Sequence, residues 1–594
     1  MTTNHIVAGF PDGEKHFNRQ NFNPDLIESR KVLVIGNGPS AITLSFILSG
    51  RWPYYSFSKE PHPIEFLHEK LASYSSSNCS LLEFDLESLS KGLSGRSLNP
   101  VSVLFDQLQN PNTDFGHSQE STLKWRYHPE KSIDHIILGT GLPGGMWYNM
   151  RKSKTILTVS RQKWMQLPEL EMILHDDQQE QLNKDYGRIS FYSVAQYYRK
   201  YVDHFGLGKY FRNYTRVTKV EWCHALDCWI VDAVTTIPIK SKNKGENSNS
   251  SSSILCQSNS KCSPMKYLKC SGRLRNCKHE VKNTCSIRFL AKYVVLATGT
   301  NSSTPSTLNV PGERSSFVLH SLHQLKEELF KSSLPRKAMI YSPLSNLVSS
   351  APIALIIGSG LSAADALFML QQQQKFRVIH IFRRSIQDRS LIFNQLSNEN
   401  LYPEYAQTFR RMKSTIKSPL CVNCFVHNSC APYQAYHRCT LSHLSSMPIQ
   451  SAALNFQQHS NSDYVSNGES NHLCNQCKFP LWKSTITATI PVSLVIVLIG
   501  SKPSLDFLSP TLVAKLGLIP NSPIDIRKNP IGIDPITYES QAIPQLYAIG
   551  PLVGDNFVRF LQGGAFAVAA NLMAKNQTKP HTNESTGPMA INDD

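Results

Sequence analysis

Short apolar runs, separated by glycine-rich turns and longer polar stretches, dominate the hydrophobic pattern of the chain. Runs of mostly branched aliphatic residues predict buried strands at 32–35, 292–299, 354–357, 377–382 and 491–500. Helical periodicity is predicted at 42–48 and, with many aromatic residues, at 192–201, while 64–67 is a candidate second strand. The run at 491–500 is about half as long as a membrane-spanning helix, so it indicates a strand. Alternation of strands and helices predicts an α/β fold.

The turn at residues 36–41, which we call the first turn, joins a predicted strand to a predicted helix. Its Gly-x-Gly-x-x-Ala pattern is typical of dinucleotide-binding folds, in which backbone N–H groups at the helix start bind a pyrophosphate and glycine permits its close approach. A plain glycine-rich strand-helix turn is the alternative. An acid that binds the ribose is expected about twenty residues further on, where Glu60 and Glu65 are candidates. The candidate cofactor-binding residues of the turn are Gly36, Gly38, Pro39, Ser40 and Ala41.

The same pattern returns at residues 358–363, the second turn, with Gly358, Gly360 and Ala363 at its three defining positions. Two such turns in one chain are much less probable by chance than one, so we predict two Rossmann-like dinucleotide sites. The strand at 377–382 ends in Arg383 and Arg384, where an NAD site usually carries an acid. Guanidinium groups there suit the 2′-phosphate of NADPH through paired charge-assisted hydrogen bonds. An exposed basic strand end is the alternative.

Two later segments are candidates for completing the first site. Thr298 and Gly299 follow an apolar strand, at the connection by which many two-dinucleotide flavoproteins leave the flavin domain. Near the end of the chain a predicted strand ends at Gly550, Asp555 follows in a loop, and residues 563–565, which include Gly564, are predicted to open a helix ending near 573. In a flavoprotein such an Asp hydrogen-bonds the ribityl chain, and such a helix start lies near the pyrimidine end of the flavin.

A Gly-Gly-x-Trp segment, Gly144, Gly145 and Trp147, lies between the first turn and these later segments. The two glycines allow the backbone to pack tightly against a flat group, and the Trp supplies a large aromatic ring beside it. Taken alone, a turn followed by a buried Trp is the preferred interpretation of this segment over a binding site for a flat group.

The charge of the chain is concentrated in one place. The formal net charge is +17, and residues 240–292 hold twelve Lys or Arg against two Glu, a local excess of +10. This stretch includes a Ser- and Asn-rich tract, so a solvated surface insertion at about 238–286 is preferred over an electrostatic docking arm. The charge therefore does not indicate a nucleic-acid partner, and none is predicted.

The 14 cysteines are scattered through a large chain, which favours reduced thiols. Cys421-x-x-Cys424 and Cys474-x-x-Cys477 lie in a second polar insertion, at about 415–480. The gap between the two pairs is far longer than compact zinc folds use, so a loop with incidental thiols is preferred and no metal site is predicted. A redox-active pair is the other alternative, although related reductases place theirs before the NADPH-binding turn. No signal-peptide pattern begins the chain, and a cytoplasmic location without a membrane span is expected.

These patterns divide the 594 residues into two domains, with an NADPH-binding domain inserted into an FAD-binding domain. The predicted segments are a flexible N-terminus at 1–29, the first part of the FAD domain at 30–315, the NADPH domain at 316–505, a return segment of the FAD domain at 506–575 and a disordered tail at 576–594.

Nine short motifs carry a resemblance to a known family. They lie at 34–40, 92–97, 99–101, 103–106, 143–147, 296–300, 358–361, 401–405 and 550–561. With these motifs the chain resembles the oxidative stress-induced growth inhibitor family, a branch of the flavin-containing monooxygenase-like proteins. The resemblance covers nearly the whole chain except the two polar insertions and both ends.

The resemblance implies an FAD-binding monooxygenase that uses NADPH and O2. Hydride would pass from NADPH to the flavin, which would capture oxygen as a C4a-(hydro)peroxide and oxygenate an unknown substrate. The resemblance also implies growth restraint and late cytokinesis, with the midbody as location and a Rho GTPase pathway as partner. It assigns Gly36, Gly38 and Ala41 to the FAD pyrophosphate, Asp555 to the ribityl chain, Gly144, Gly145 and Trp147 to the flavin, Gly358, Gly360 and Ala363 to the NADPH pyrophosphate, and Arg383 or Arg384 to its 2′-phosphate.

One departure from the related monooxygenases leaves the substrate class open. Of their Phe-x-Gly-x-x-x-His-Ser signature only His320 and Ser321 are present, and Ser316 stands where the Gly should be. Two other functions stay open as alternatives. One is a regulatory scaffold that keeps the flavoprotein fold and docks through the basic insertion, and the other is a flavin-dependent disulfide reductase that would require Cys421 or Cys424.

Overall fold

The apolar runs become the strands of two largely parallel sheets in the computed structural model. The structure describes residues 27–56, 61–73, 79–115, 119–151, 154, 156–172, 187–236, 284–300, 305–333, 352–389, 391–395, 402–414, 432–457 and 486–577. The strands before residue 300 are β1 (Ile27–Ile35), β2 (Arg51–Tyr55), β3 (Leu123–Tyr127), β4 (His135–Leu138), β5 (Leu157–Arg161), β6 (Arg188–Ser190), β7 (Phe211–Arg212), β8 (Thr215–Cys223), β9 (Cys228–Thr236) and β10 (Thr284–Leu296).

The later strands are β11 (Val318–Leu319), β12 (Ile353–Ile357), β13 (Arg377–Phe382), β14 (Tyr433–His437), β15 (Cys439–Ser445), β16 (Ser451–Phe456), β17 (Ile486–Pro491), β18 (Leu494–Val497) and β19 (Leu546–Ala548). The helices are α1 (Pro39–Leu48), α2 (Glu65–Ser73), α3 (Leu86–Ser90), α4 (Pro100–Gln109), α5 (Met146–Asn149), α6 (Phe191–His204), α7 (Leu322–Ser333), α8 (Leu361–Gln373), α9 (Ile392–Gln395), α10 (Pro403–Ser414), α11 (Pro510–Leu516) and α12 (Val558–Gln577).

The first sheet has the strand order β7-β4-β1-β10-β9-β8, and β19 also pairs with β10. β1 lies at its centre, parallel to both β4 and β10, which explains why its apolar residues are buried on both faces. β19 joins the same sheet from the far end of the chain. The first domain is therefore assembled from two separate chain segments.

The second sheet has the order β11-β18-β12-β13-β14, with every pairing parallel. A three-stranded antiparallel sheet, β15-β16-β17, accompanies it. Because these strands lie in sequence between β10 and β19, the predicted insertion of the second α/β domain into the first is confirmed. Among the residues that the structure describes, no helix has both the length and the apolar character needed to cross a membrane.

Helices α1 and α12 pack on each other in the core of the first domain, and α12 also packs on α4. Every residue of α1 is buried, as expected for a helix that is apolar on all sides. The core of the first domain thus joins the start of the chain to its return segment.

Several predicted elements are wrong. Residues 64–67 do not form a strand, because 65–73 belong to α2, in which Leu67 and Leu71 are buried one helical turn apart. The strand that follows α1 is β2, which pairs with β3 in a small separate sheet. A window of four residues was too short to distinguish the helical period of 3.6 residues from the strand period of two. β1 also begins at Ile27, within the segment predicted to be flexible.

The predicted start of the last helix at 563–565 is also wrong, since α12 begins at Val558 and continues to Gln577. The Cys-rich stretch at 415–480 is not only a loop, because β14, β15 and β16 lie inside it. All five residues of β14 are buried beside β13, a parallel pairing that the surrounding polar sequence obscured. The cysteine pairs at 421, 424, 474 and 477, and residues 237–283 of the basic insertion, lie outside the described residues.

Candidate functional site

The first turn lies where β1, β4 and β10 end side by side. The N–H of Gly36 donates to the carbonyl of Leu138, 2.9 Å away, and the chain passes with φ of +110°. A Cβ at Gly36 would lie 2.3 Å from the carbonyl oxygen of Ala297. Gly38, by contrast, has an ordinary φ of −76° at the start of α1, and a Cβ there would meet nothing within 4 Å. Gly36 is therefore required by the protein's own packing, whereas Gly38 borders open space.

The second turn repeats this geometry in the second sheet. The N–H of Gly358 donates to Ile381 at 3.0 Å, φ is +134°, and a Cβ would lie 2.2 Å from the carbonyl oxygen of Leu498. Gly360 begins α8, and its Cβ position is again empty to 4 Å. Ala363 is fully buried in the helix behind the turn. Both turns thus leave a space at a helix N-terminus that suits an anionic group.

The Gly-Gly-x-Trp segment closes on the first turn. The N–H of Gly144 donates to the carbonyl of Asn37 at 2.9 Å, and a Cβ at Gly145 would lie 2.9 Å from the Cα of Gly38. Trp147 is half-buried, with its ring edge-on to Phe191 at a centroid distance of 5.0 Å. The tight packing predicted for the glycines is therefore against the first turn, and a contact of Trp147 with a flavin stays a prediction.

A buried hydroxyl group beside the first turn has no hydrogen-bond partner among the described residues. It belongs to Thr298, whose backbone N lies 3.0 Å from the Cβ position of Gly36. Leaving a buried hydroxyl without a partner costs about 1–3 kcal/mol, which a ligand with a polar group would recover. Gly299 follows with φ of +59°. On another side, a Cβ at Gly550 would lie 2.8 Å from the Oγ of Ser40.

Asp555 lies in a cluster of protein donors. Its Oδ1 accepts from the hydroxyl of Ser97 at 2.6 Å and the amide of Asn99 at 3.1 Å. Its Oδ2 accepts from Ser102 at 2.9 Å and Tyr538 at 3.0 Å. Burial raises the pKa of Asp555 to about 6 against the opposing effect of these bonds. The carboxylate thus ties the start of α4 to the return segment, and its contact with a ribityl chain stays a prediction.

Gly564 lies within α12, and a Cβ there would lie 2.7 Å from the ring of Tyr538. A Cβ at the preceding Gly563 would lie 2.4 Å from the Cα of Ser102. The two glycines therefore allow α12 to approach its neighbours closely and do not form a helix start. As a flavin-binding residue, Gly564 remains only a prediction.

Sequence reasoning missed a buried charge network beside Asp555. Arg559 of α12 pairs with Asp106 at 2.9 Å and also with Asp114, and both members of the first pair are almost fully buried. Arg96 pairs with Asp114 at 2.7 Å and donates to the hydroxyl of Tyr402 at 3.3 Å. Burial raises the pKa of Asp106 to about 7, while Arg559 opposes this shift. The signal in the sequence was an arginine within the apolar pattern of α12.

This network joins motifs that are distant along the chain. Residues from 92–97, 103–106 and 550–561 form its ion pairs, and Tyr402 of the motif at 401–405 reaches it from the second domain. Tyr405 forms a second link, donating to Asp365 of α8 at 2.8 Å and accepting from Arg188 at 3.0 Å. The two domains are therefore joined by polar contacts at the start of α10.

The second turn has a basic neighbourhood and a buried histidine. Arg383 is exposed and Arg384 half-exposed, and both follow the end of β13, the position that the sequence predicted. Their binding of a 2′-phosphate stays a prediction. Partial desolvation and the charge of Arg384 lower the pKa of Arg527, a return-segment residue, while Asp525 opposes this shift. His380 hydrogen-bonds the carbonyl of Gly358 at 2.6 Å, and burial lowers its pKa to about 4. Arg527 was missed because it is distant in sequence.

The ribose partner and the monooxygenase signature are resolved only in part. Glu60 lies outside the described residues, and Glu65 is exposed at the start of α2. β2 is not a neighbour of β1, so it does not form the usual place for a ribose-binding acid. His320 pairs with the buried Glu313 at 3.1 Å. Among the described residues, no group of three or more His, Cys, Asp or Glu could hold a metal ion.

Comparison with known proteins gives a family match over part of the chain and a likeness to solved structures. A family model for L-lysine 6-monooxygenase/L-ornithine 5-monooxygenase matches residues 255–431. Among solved structures, ornithine hydroxylase from Pseudomonas aeruginosa is 13% identical, with a TM-score of 0.44 over 92% of this chain and 99% of that chain.

Relatives along nearly the full length give the family. Oxidative stress-induced growth inhibitor 1 of Mus musculus is 37% identical, covering 93% of this chain and 97% of the relative. Oxidative stress-induced growth inhibitor 2 of Homo sapiens is 35% identical, covering 93% of this chain and 94% of the relative. The chain belongs to the oxidative stress-induced growth inhibitor family, which confirms the resemblance found in its motifs.

Proposed function

We propose that the protein is an FAD- and NADPH-dependent monooxygenase, with FAD at the first turn and NADPH at the second. The observation that carries this proposal is the repeated geometry of the two turns. In each, the first glycine packs against a neighbouring strand, and the second, Gly38 or Gly360, leaves open space at a helix N-terminus. A dinucleotide pyrophosphate is the kind of anion that such a space and helix end bind.

The residues around the first turn fit a flavin nucleotide. The unpartnered hydroxyl of Thr298 would donate to or accept from a polar group of FAD, and Gly299 beside it keeps the backbone open. Trp147 would lie along one side of the bound cofactor. Bound FAD supplies hydride acceptance from NADPH and the activation of O2 for oxygen transfer to a substrate. The protein's part is to hold the two nucleotides in place and to exclude water.

The residues around the second turn fit NADPH better than NADH. Arg383 and Arg384 follow the end of β13, and the charge of Arg384 acts on Arg527, where Asp525 partly offsets it. A 2′-phosphate would offset the repulsion among these charges, and NADH has no group that does so. We therefore expect a strong preference for NADPH.

The deciding experiment is an absorbance spectrum of the purified full-length protein, with and without added FAD. The proposal predicts a visible flavin spectrum that NADPH bleaches without air and that returns when air is admitted. NADPH consumption should then be measured together with hydrogen peroxide, so that oxygen transfer is distinguished from peroxide release. Absence of flavin binding under all these conditions would refute the enzyme proposal.

For the cellular role we propose growth restraint, because relatives at 35–37% identity are named growth inhibitors. Cytokinesis, the midbody and a Rho GTPase pathway are part of the same proposal. Cells that express wild-type protein should be compared with cells that express the Gly38→Ala variant at equal level. Growth restraint that persists without cofactor binding would favour the regulatory scaffold over the enzyme.

A further inference from the structure

Two cysteines face each other at the end of the β8–β9 hairpin. Cys223 is the last residue of β8, Cys228 is the first residue of β9, and the antiparallel register pairs them directly. Both are free thiols and both are partly exposed. The loop between them, residues 224–227, passes through a left-handed conformation at Asp227, with φ of +46°.

The alternation of the strands puts both sulfur atoms on one face. Trp222 and Trp229 are the preceding register pair, and their rings meet edge-on at a centroid distance of 5.3 Å, with Trp229 fully buried. Neighbouring side chains in a strand point to opposite faces. Cys223 and Cys228 therefore both point away from the buried face and toward the same side of the hairpin.

The hydrogen-bond pattern gives the separation of the two backbones. The N–H of Val220 donates to the carbonyl of Phe507 at 2.8 Å, outside the hairpin, so Val220 and its partner form a non-hydrogen-bonded pair. Pairs alternate along an antiparallel ladder, which makes Cys223 and Cys228 a hydrogen-bonded pair with Cα atoms about 5.5 Å apart. Disulfides span Cα separations centred on about 5.5–6 Å. The two backbones therefore lie at the Cα separation of a disulfide. Bond formation also requires the two Cβ atoms to approach to about 3.5–4.5 Å, because side chains of a hydrogen-bonded pair lie further apart than those of the alternate pairs.

We propose that Cys223 and Cys228 are a redox modification site that forms a reversible disulfide when the protein meets hydrogen peroxide. The site goes beyond the proposed function and does not depend on it. Partly exposed thiols with a second cysteine beside them are the type that peroxide converts to a disulfide. A cross-strand bond of this kind is accessible to reductants, as regulatory disulfides are.

The chemistry balances with peroxide as the only oxidant. One thiolate attacks a peroxide oxygen, so that an S–O bond forms, the O–O bond breaks and water leaves after protonation. The second sulfur then attacks this sulfenic acid, an S–S bond forms, the S–O bond breaks and a second water leaves. Two thiols lose two electrons and two protons in total. Burial, with the nearby Cys223 and Asp227, raises the pKa of Cys228, which makes Cys228 a poorer first nucleophile.

Trypsin offers a direct test, because cleavage after Lys219 and Lys240 yields peptide 220–240, which contains Cys223, Cys228 and no other cysteine. The full-length reduced protein is exposed to hydrogen peroxide, the remaining thiols are alkylated, and the digest is analysed by mass spectrometry. We expect this peptide to be unalkylated and two hydrogens lighter than its reduced form. When reductant is added before the alkylating reagent, the peptide should become doubly alkylated. Oxidised methionine elsewhere in the digest shows that the peroxide has acted.

Variants separate the pair from general thiol oxidation. Cys285→Ser is the matched control, because Cys285 is a partly exposed thiol in the neighbouring strand and faces Thr235 instead of a cysteine. It should leave the linkage unchanged, whereas Cys223→Ser should abolish it. The proposal is overturned if, after peroxide, peptide 220–240 is doubly alkylated, is linked to another peptide, or carries a sulfinic acid at one cysteine with the other still alkylated.

Discussion

Replacing Gly38 by alanine tests the central claim that the first turn has room for a phosphate. In the protein alone, the added Cβ meets nothing within 4 Å and φ is already −76°. The alanine reduces the conformational freedom of the unfolded chain, which stabilises the folded protein by about 0.4–1 kcal/mol. Alanine is also a poorer N-cap residue than glycine, which costs a similar amount. The free energy of unfolding should therefore change by less than about 1 kcal/mol. FAD affinity should fall at least about tenfold, or 1.4 kcal/mol, because the methyl group occupies the phosphate space.

Gly36→Ala is the matched control and should behave in the opposite way. Its Cβ would lie 2.3 Å from the carbonyl oxygen of Ala297, at φ of +110°. The backbone strain costs about 1–3 kcal/mol, and relief of the overlap costs about 1–3 kcal/mol more. The sum is a large part of the about 5–15 kcal/mol that stabilises a typical domain.

Both variants are compared with wild type by urea unfolding of flavin-free protein and by fluorescence titration with FAD. Gly38→Ala should have the same urea midpoint as wild type, and Gly36→Ala should unfold at a clearly lower urea concentration. The reasoning is refuted if Gly38→Ala binds FAD as tightly as wild type, or if Gly36→Ala loses no stability.

Three further predictions concern the second turn, Arg527 and two buried histidines. Gly360→Ala should raise the KM for NADPH at least about tenfold and leave the flavin spectrum unchanged, whereas Gly358→Ala should lower the urea midpoint. If the two variants changed the KM and the urea midpoint equally, the second turn would not repeat the geometry of the first. Arg527→Ala should raise the KM for NADPH but not for NADH, and a parallel rise in both would exclude Arg527 from the 2′-phosphate site. His135 and His380 have pKa values lowered by burial to about 4, against about 6.5 when unfolded, so the unfolded chain binds more protons as pH falls. Each should remove about 1.4 kcal/mol per pH unit between about 6.5 and 4. The raised pKa values of Asp106 and Asp555 have the opposite effect over much of this range, so wild type is compared with His380→Gln by urea unfolding. The stability difference between the two proteins should shrink as pH falls, and a difference that stays constant from about pH 6 to 5 would contradict this.

Both turns could be located from the sequence because their signal is local. A strand, a Gly-x-Gly-x-x-Ala turn and a helix require only a dozen neighbouring residues. The carbonyl groups that exclude a Cβ at Gly36 and Gly358 belong to Ala297 and Leu498, which are distant in sequence. The inserted order of the domains followed from where the two patterns and the returning strand fall along the chain. Family membership was also evident in the sequence, since motifs such as 550–561 are long and specific.

What the sequence by itself could not determine depends on residues that are distant along the chain. Arg559 pairs with Asp106, and Gly564 lies against Tyr538, because α12 returns to the first domain after the inserted second domain. Arg527 of the same return segment is affected by the charge of Arg384, although the two lie far apart along the chain. The role of Asp555 among its four donors was hidden in the same way. The sequence determined which residues form each local turn, while the tertiary structure decided which buried charges and glycines meet, since burial and pairing depend on how the whole chain packs.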